Sequence, residues 1–407
     1  MSKEQKQEKQ QEGGKIFFYQ GVKEVGGNDE KKLEIIKTKL VDLFNIKNIN
    51  FLFGAGVSNN AIPTMNELQE KVQKEIREKE LIEVFLEVKK ENSRNLEEIL
   101  EILYSGQSYF EKTSQTDNSR LKNIKKLIEK IENTIFEAIN IDCFAKKDVM
   151  QNYKNFYQKV MYRNKELNQI NVFTTNNDLF NEMALDSLNI DYNNGFGGGL
   201  IRSFNPARFE YIFSKRMDES MQKYEPINHM VYLYKLHGSI NWIVKSNDSF
   251  FDIQEISIQP KQQKPNESLL IYPTPLKESK SLTSPYTDMI REFQKKLSYP
   301  HSVLFIIGYS FSDEHINSII YRALASNASL SIVVFADKNK IQKKICEIDD
   351  RRIYTIYGKE QNNKTIHYFD YIVENFIPHI DEEQDKEMLE RFIKALKQEG
   401  KINEGEK

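Results

Sequence analysis

The sequence is poor in the residues that several classes of protein require. Its two cysteines, Cys143 and Cys346, form no CxxC pair, so one chain cannot supply a four-cysteine zinc site, and a disulfide framework is not expected. Its 58 basic and 60 acidic side chains leave no positive excess for nucleic acid or an anionic membrane. No apolar run could span a bilayer, and the polar residues 1–15 are unlike a signal peptide. We therefore expect a cytoplasmic protein with no metal, no direct contact to nucleic acid and no membrane segment.

What the sequence does contain is enough apolar surface for a core and a repeated alternation of strands and helices. Of its 407 residues, 39% are hydrophobic and 11% aromatic. Near-continuous apolar runs predict buried strands at Ile49–Phe53, Ile170–Thr174, Val231–Leu236, Val303–Ile307, Ser331–Phe335 and Ile353–Tyr357. Such strands alternate with helices in parallel sheets that are covered on both faces. The sequence therefore predicts an α/β fold, with a Rossmann-like doubly wound parallel sheet.

A long helical stretch interrupts this alternation. Thr64 and Glu67 form a capping-box pattern that predicts a helix over Glu67–Lys79, and an apolar stripe runs from Leu121 to Ile139. We interpret the stretch as a large helical insertion. The simplest hypothesis is that it forms a helical layer, and a surface that binds a partner is compatible with the same pattern. The predicted domains are a disordered tail (1–15), the start of the Rossmann-like domain (16–80), the helical insertion (81–165), the remainder of that domain (166–380), and a C-terminal helix and tail (381–407).

Two glycine-containing segments follow predicted strands. Gly54-Ala55-Gly56-Val57-Ser58 could hold phosphate oxygens on exposed backbone N–H groups, although it lacks the third glycine of GxGxxG and a plain tight turn explains it equally well. Gly308-Tyr309-Ser310 opens a segment of small polar residues that could touch a second part of the same ligand. The structural alternative for that segment is a tight turn followed by a capped helix.

Two further segments carry polar side chains at strand ends. Thr174 to Asp178 offers amides and a carboxylate that could bind sugar hydroxyls or a carboxamide, with a helix N-cap as the alternative. His237, next to Gly238, could accept a proton near neutral pH, although a lone histidine is more often structural. The remaining histidines have no comparable setting and are expected to be structural or exposed: His229, His301, His315, His367 and His379.

In this order, the four segments resemble the sirtuin superfamily, and more closely its bacterial sirtuin-like branch in antiphage defence systems. The resemblance covers roughly residues 48–337, with the helical insertion excluded. It implies that Asn176 and His237 are catalytic. It also implies a set of residues that bind NAD+: Gly54, Ala55, Gly56, Ser58, Thr175, Asp178, Gly308, Ser310 and Asp337. Among these, Asp178 would hold the nicotinamide amide.

The sequence departs from sirtuin deacylases at two points. Where deacylases carry G-I-P-D-F-R, this chain has Ala61-Ile62-Pro63-Thr64-Met65-Asn66, and the zinc cysteines are absent. The first departure removes the phenylalanine and arginine of that motif. The zinc module of deacylases helps form the cleft for an acyl-lysine peptide, so its loss favours water as the acceptor. The resemblance therefore implies an NAD+ nucleosidase (NAD+ glycohydrolase) that consumes NAD+ as a substrate, without a metal, in abortive infection. The alternatives are an NAD-dependent protein deacylase, a non-catalytic NAD or ADP-ribose sensor, and a purely structural subunit.

An enzyme that destroys NAD+ must be controlled, so we expect self-assembly or a partner. The sequence has no Walker A motif and no room for a large sensor domain. It resembles a sirtuin-like subunit that assembles with a HerA-type ATPase, and the helical insertion is the natural candidate for homo-oligomer contacts. The alternative to release of ADP-ribose by hydrolysis is its cyclisation.

Overall fold

The fold is described from a computed structural model of the chain. The described residues are 14–89, 96–113, 118–164, 166–218, 223–227, 229–245, 253–265, 268–270, 284–337 and 344–378. Most of the predicted N-terminal tail, the predicted C-terminal helix and tail at 381–407, and His379 lie outside these residues.

The described strands and helices alternate along much of the chain. The strands are β1 (Ile16–Gln20), β2 (Lys23–Glu24), β3 (Asn48–Phe53), β4 (Ile170–Thr174), β5 (Asp191–Asn193), β6 (Phe196–Gly197), β7 (Arg202–Phe204), β8 (Ser214–Asp218), β9 (Lys223–Pro226), β10 (Met230–Lys235), β11 (Gly238–Val244), β12 (Ile253–Glu255), β13 (Ser268–Leu270), β14 (Ser302–Ile307), β15 (Leu330–Phe335) and β16 (Ile353–Gly358). The helices are α1 (Asp29–Phe44), α2 (Met65–Glu75), α3 (Lys79–Lys89), α4 (Leu96–Lys112), α5 (Asn118–Ile139), α6 (Lys147–Met161), α7 (Phe180–Ser187), α8 (Tyr286–Ser298), α9 (Glu314–Ser326), α10 (Lys344–Glu347) and α11 (Phe369–Asn375).

The main sheet has nine strands in the order β2-β1-β16-β15-β14-β3-β4-β10-β5. From β16 to β5 all neighbours are parallel, and β1 and β2 extend one side as antiparallel strands. From β3 the chain proceeds outward to β4 and β10 on one side, and later to β14, β15 and β16 on the other. The direction therefore reverses between β3 and β14, which confirms the predicted doubly wound α/β fold and places its switch point there.

The central strands are apolar because both of their faces are covered. All residues of β3, β4, β10 and β14 are buried. On one face Phe51 stacks on Phe305 at 5.3 Å and meets Phe156 of α6 edge-on at 5.0 Å. This two-sided burial explains why runs without period-two alternation identified the strands correctly.

Helices α2 to α6 lie between β3 and β4, and no strand occurs among the described residues of that segment. The predicted capping box is confirmed: the Thr64 side chain accepts from the backbone of Glu67, and Glu67 accepts from the backbone of Thr64. The predicted end of that helix at Lys79 is wrong, because α2 stops at Glu75 and the chain becomes extended at Ile76, which is buried. A new helix, α3, then begins at Lys79. The boundaries of a separate helical domain stay a prediction.

Two smaller sheets were not predicted. Strands β13, β11, β12, β7 and β6 form an antiparallel sheet, and β8 pairs with β9 alone. Gly238, with φ of 81°, turns the chain out of the main sheet directly after β10 and starts β11. The prolines and polar residues from about 245 to 280 predict a loop or short hairpin, and the structure places two short strands there, β12 and β13, which both pair antiparallel with β11. In the described part of the chain, no helix is long and apolar enough to cross a membrane.

Candidate active site

The loop after β3 packs backbone to backbone on the loop after β14. Gly54 N–H donates to the Ile307 carbonyl at 3.0 Å, and Gly56 N–H donates to the Gly308 carbonyl at 2.9 Å. A Cβ atom on Gly54 would lie 2.5 Å from the Gly308 oxygen, and Gly308 itself has φ of 65°. The glycines are therefore required by the contact between the two loops. Ala55 and Gly56 are exposed, so the outer surface of this loop faces solvent.

Ser58 ends this loop inside a buried cluster of polar side chains, here called the Ser58 cluster: Ser58, Tyr153, Asn176 and Asp178. Ser58 Oγ donates to Asp178 Oδ2 at 2.8 Å. Because that bond uses the only hydroxyl hydrogen of Ser58, Tyr153 Oη donates to Ser58 Oγ at 2.8 Å, and Asn176 Nδ2 donates to it at 3.2 Å. Exposed fractions are 1% for Ser58, 2% for Asp178 and 9% for Asn176. The structure thus joins the first and second predicted segments.

Asp178 also connects the cluster to the start of α7. Its Oδ1 accepts from the N–H of Phe180, the first residue of α7, at 3.1 Å, while the N-cap position itself is Leu179, which makes no side-chain cap bond. Burial raises the pKa of the Asp178 carboxyl above its usual value, and the positive charge of Lys235 opposes that rise. Burial also raises the pKa of the Tyr153 hydroxyl well above its usual value, which keeps it a neutral donor.

His237 lies outside the Ser58 cluster and pairs with Asp313. Its Nε2 is 3.0 Å from Asp313 Oδ2, and 17% of the His237 side chain is exposed. Asn177 Nδ2 donates to the His237 carbonyl at 2.7 Å and to the Gly238 carbonyl at 3.2 Å. The second segment is therefore bound to the third, and the third to the fourth. Together with the Ser58 cluster and the glycine contact, these bonds close a ring of four loops at the carboxyl edge of the sheet.

A buried ion pair lies beneath the ring. Lys235 Nζ is 2.9 Å from Glu182 Oε1 and donates to Ser239 Oγ at 2.8 Å and to the Asp178 carbonyl. Lys235 is 1% exposed and Glu182 6% exposed. Two charges taken this far from water are stable only while they remain paired and hydrogen-bonded. Sequence reasoning missed this pair, Tyr153, and the role of Asp313, since each depends on a contact between segments remote in sequence.

The other predicted site residues lie at the same edge of the sheet. Thr175 is half-buried, and its N–H donates to the Phe53 carbonyl at 3.0 Å. Ser310 is exposed and donates to Ser312 Oγ at 3.0 Å. Asp337 is half-buried just beyond β15, which is one strand further from β3 than β14 is. Within the described residues, no group of three His, Cys, Asp or Glu side chains is placed to hold a metal ion.

Replacing Gly54 by Ala should destabilise the chain. The added Cβ would meet the Gly308 oxygen and the Tyr309 Cα, both at 2.5 Å, and backbone cannot give way as a flexible side chain does. We expect the free energy of unfolding in urea to fall by about 1–3 kcal/mol. Gly199→Ala is the matched control, because no atom lies within 4 Å of its Cβ position. Equal unfolding midpoints for the two variants would contradict the loop contact.

Lys235→Met should leave Glu182 buried without its cation and lower the free energy of unfolding by about 3–5 kcal/mol. The control is Lys364→Met, which breaks the surface pair with Glu374, whose side chains are 60% and 65% exposed. That change should cost at most about 1 kcal/mol. Urea unfolding followed by circular dichroism measures both. A Lys235→Met variant as stable as the control would show that the buried pair is dispensable.

Part of the chain is similar to a known protein family and to solved structures. Residues 170–366 match a family model described as SIR2-like domain, a span that contains β4 to β16 but not the loop at Gly54. No curated protein matches the chain. Among solved structures, a Sir2 homologue mutant in complex with ADP-ribose is 11% identical, with a TM-score of 0.40 over 84% of this chain and 96% of that one. A Sir2 homolog–NAD complex is 13% identical, with a TM-score of 0.35 over 80% and 88% of the two chains. Residues 170–366 of this chain are therefore similar to the SIR2-like domain family.

Proposed function

We propose that this protein is an NAD+ glycohydrolase, which cleaves the nicotinamide–ribose bond of NAD+ and releases nicotinamide and ADP-ribose. One observation carries the proposal: the four segments whose pattern resembles an NAD+ site form one closed ring of contacts at the switch point. Ligands of doubly wound sheets bind there, outside the carboxyl ends of the strands. The match of residues 170–366 to a SIR2-like domain supports the same function.

The proposed chemistry needs few groups. Nicotinamide is already a cationic leaving group, so no acid is required, and the transition state resembles an oxocarbenium ion at the ribose. Asn176, at the rim of the Ser58 cluster, would orient a ribose hydroxyl or the attacking water. His237 would accept the proton. The loop from Gly54 to Ser58, with Gly308, Ser310, Thr175 and Asp337, would hold the remainder of the dinucleotide.

Asp178 has a constrained position in this scheme. Both of its carboxylate oxygens already accept hydrogen bonds, from Ser58 and from the Phe180 N–H, and it is only 2% exposed. Each oxygen can accept one more hydrogen bond, but Asp178 is almost fully covered, so contact with the nicotinamide carboxamide requires a neighbouring side chain to move, and Ser58 is the neighbour on Oδ2. We propose that NAD+ binding exchanges the bond between Ser58 and Asp178 for one between the carboxamide and Asp178.

Water is the proposed acceptor in preference to an acyl-lysine. In place of the deacylase aspartate, this chain has Thr64, whose side chain and backbone bond Glu67 to begin α2. The segment that differs from deacylases is thus occupied in starting a helix. Protein deacylation and non-catalytic NAD sensing are the alternatives, and chromatography of the NAD+ products separates them from hydrolysis.

Asn176→Ala should abolish nicotinamide release. The side chain removed is the one proposed to orient the reacting group, and we expect a fall of roughly 100-fold or more in kcat. Asn45→Ala is the control, because Asn45 is exposed in the turn between α1 and β3, before that strand begins. Chromatography of NAD+ products, with and without an acetylated peptide, is the measurement.

Four outcomes of that assay decide the proposal. ADP-ribose without peptide, lost in Asn176→Ala, supports hydrolysis. Cyclic ADP-ribose would replace hydrolysis by cyclisation. Consumption of NAD+ only with the peptide would identify a deacylase, and binding without consumption would identify a sensor.

We also propose that the protein self-assembles, and that a HerA-type ATPase is its partner in antiphage defence. Exposed apolar side chains support assembly, because monomers rarely expose many of them together. Seven of them lie close together in sequence, between residues 200 and 224: Leu200, Ile201, Tyr211, Ile212, Phe213, Met217 and Tyr224. A smaller group, Ile82 and Leu86, lies on α3 within the predicted helical insertion.

Light scattering should give a mass above the 47.9 kDa of one chain. Two double variants test the two groups: Ile212→Ser with Phe213→Ser, and Ile82→Ser with Leu86→Ser. The variant in the group that makes the contact should have the lower mass, since serine removes apolar area that the contact buries. Val41→Ser, at an exposed position on α1, is the control. A wild-type protein that is monomeric alone would argue against self-assembly, and failure to co-elute with the ATPase would argue against that partner.

A further inference from the structure

The carboxylate of Asp313 has two functions at once. Its Oδ1 accepts from the N–H groups of His315 and Ile316, at 3.0 and 3.1 Å, and so caps α9. Its Oδ2 is 3.0 Å from His237 Nε2. A cap residue normally needs one oxygen, and here the second is directed at the histidine of a different strand end.

The turn that presents Asp313 is held rigidly. Phe311 is fully buried and has φ of 59°, a conformation that a bulky side chain rarely adopts. Its carbonyl accepts from Asn317 Nδ2 at 2.8 Å, and Tyr309 Oη lies 3.1 Å from Asn317 Oδ1 and 3.2 Å from the Asp313 carbonyl. Strained backbone persists where its surroundings over-determine it, and such strain concentrates at functional sites. The support from Asn317 and Tyr309 therefore fixes where the Asp313 carboxylate points.

We infer that Asp313 is a positioning residue for His237, an inference that rests on the proposed function. A carboxylate can only accept, so the proton between the two lies on His237 Nε2, and the lone pair of neutral imidazole is on Nδ1. As the water oxygen bonds to the ribose carbon, the C–N bond breaks and its electron pair neutralises nicotinamide. The water proton passes to Nδ1, and the charge of Asp313 stabilises the imidazolium until that proton is released to solvent.

Asp313→Asn separates this function from the cap. Asparagine is an equally good N-cap, so its oxygen can keep the bonds to His315 and Ile316. Its amide then faces His237 and donates to Nε2, which favours the tautomer with the proton on Nδ1. We expect kcat to fall about 100- to 10,000-fold with KM nearly unchanged. The control is Asn28→Ala, which removes the cap of α1 and should lower the thermal midpoint while leaving kcat unchanged.

A spectroscopic measurement tests the inference independently of activity. Nitrogen-15 NMR of histidine-labelled protein, with His237 assigned from a His237→Gln sample, distinguishes the two tautomers. The wild type should carry the proton on Nε2, and Asp313→Asn should move it to Nδ1. A wild-type His237 with its proton on Nδ1, a tautomer that Asp313→Asn leaves unchanged, or an active Asp313→Asn with full kcat would each overturn the inference. A wild type that leaves NAD+ intact yet shows the expected tautomers would refute the proposed function alone.

Discussion

The close approach of two backbones, after β3 and after β14, is the constraint on which the candidate site depends. Gly54, Gly56 and Gly308 meet where any Cβ would collide with main-chain atoms. This contact sets the position of Ser58, which ends the first loop, relative to the turn that leads to Asp313. The other three connections of the ring involve side chains that can rotate, whereas this one is made by backbone. Its geometry therefore determines whether the other three can form.

The site concentrates polar groups that are both buried and paired. Asp178 is buried beside an already buried pair, Lys235 and Glu182, and burial raises its pKa. Apolar residues of similar volume at such positions are often neutral or stabilising. Perturbed and paired groups in one place are typical of functional sites, although structural networks also produce them. Here Lys235 of the charged pair donates to the backbone of the loop that carries Asn176. The buried pair thus helps to fix the position of the Asn176 side chain.

The sequence predicted those elements of the structure that are determined by residues close together in the chain. The apolar runs predicted β3, β4 and β14 to within one residue, and Thr64 with Glu67 predicted a helix start. The doubly wound order followed from alternation of strands and helices. The break at Ile76 was missed because apolar spacing continues across it. The second sheet was missed because β12 pairs with β7, which precedes β10 in the chain, and strand pairing of this kind leaves little local trace.

The same distinction applies to the site. The residue types at the strand ends were visible in the sequence, but their pairings were not. Asp313 read only as a helix cap, since nothing near it in sequence marks His237 as its second partner. Tyr153 lies in a stripe of buried residues on α6, where one more aromatic has no distinguishing feature. Such residues become recognisable only when the parallel sheet brings its loops to one edge.

Tyr153 also gives the helices between β3 and β4 a direct mechanical connection to the loop from Gly54 to Ser58. Its hydroxyl belongs to α6, yet it bonds Ser58 across 95 positions of sequence. A force that displaces α6 must carry Ser58 with it or break a hydrogen bond with a net contribution of about 1 kcal/mol. A coupling of that size changes an affinity several-fold. A displacement of the helices thus has a short covalent and hydrogen-bonded route to the Ser58 cluster.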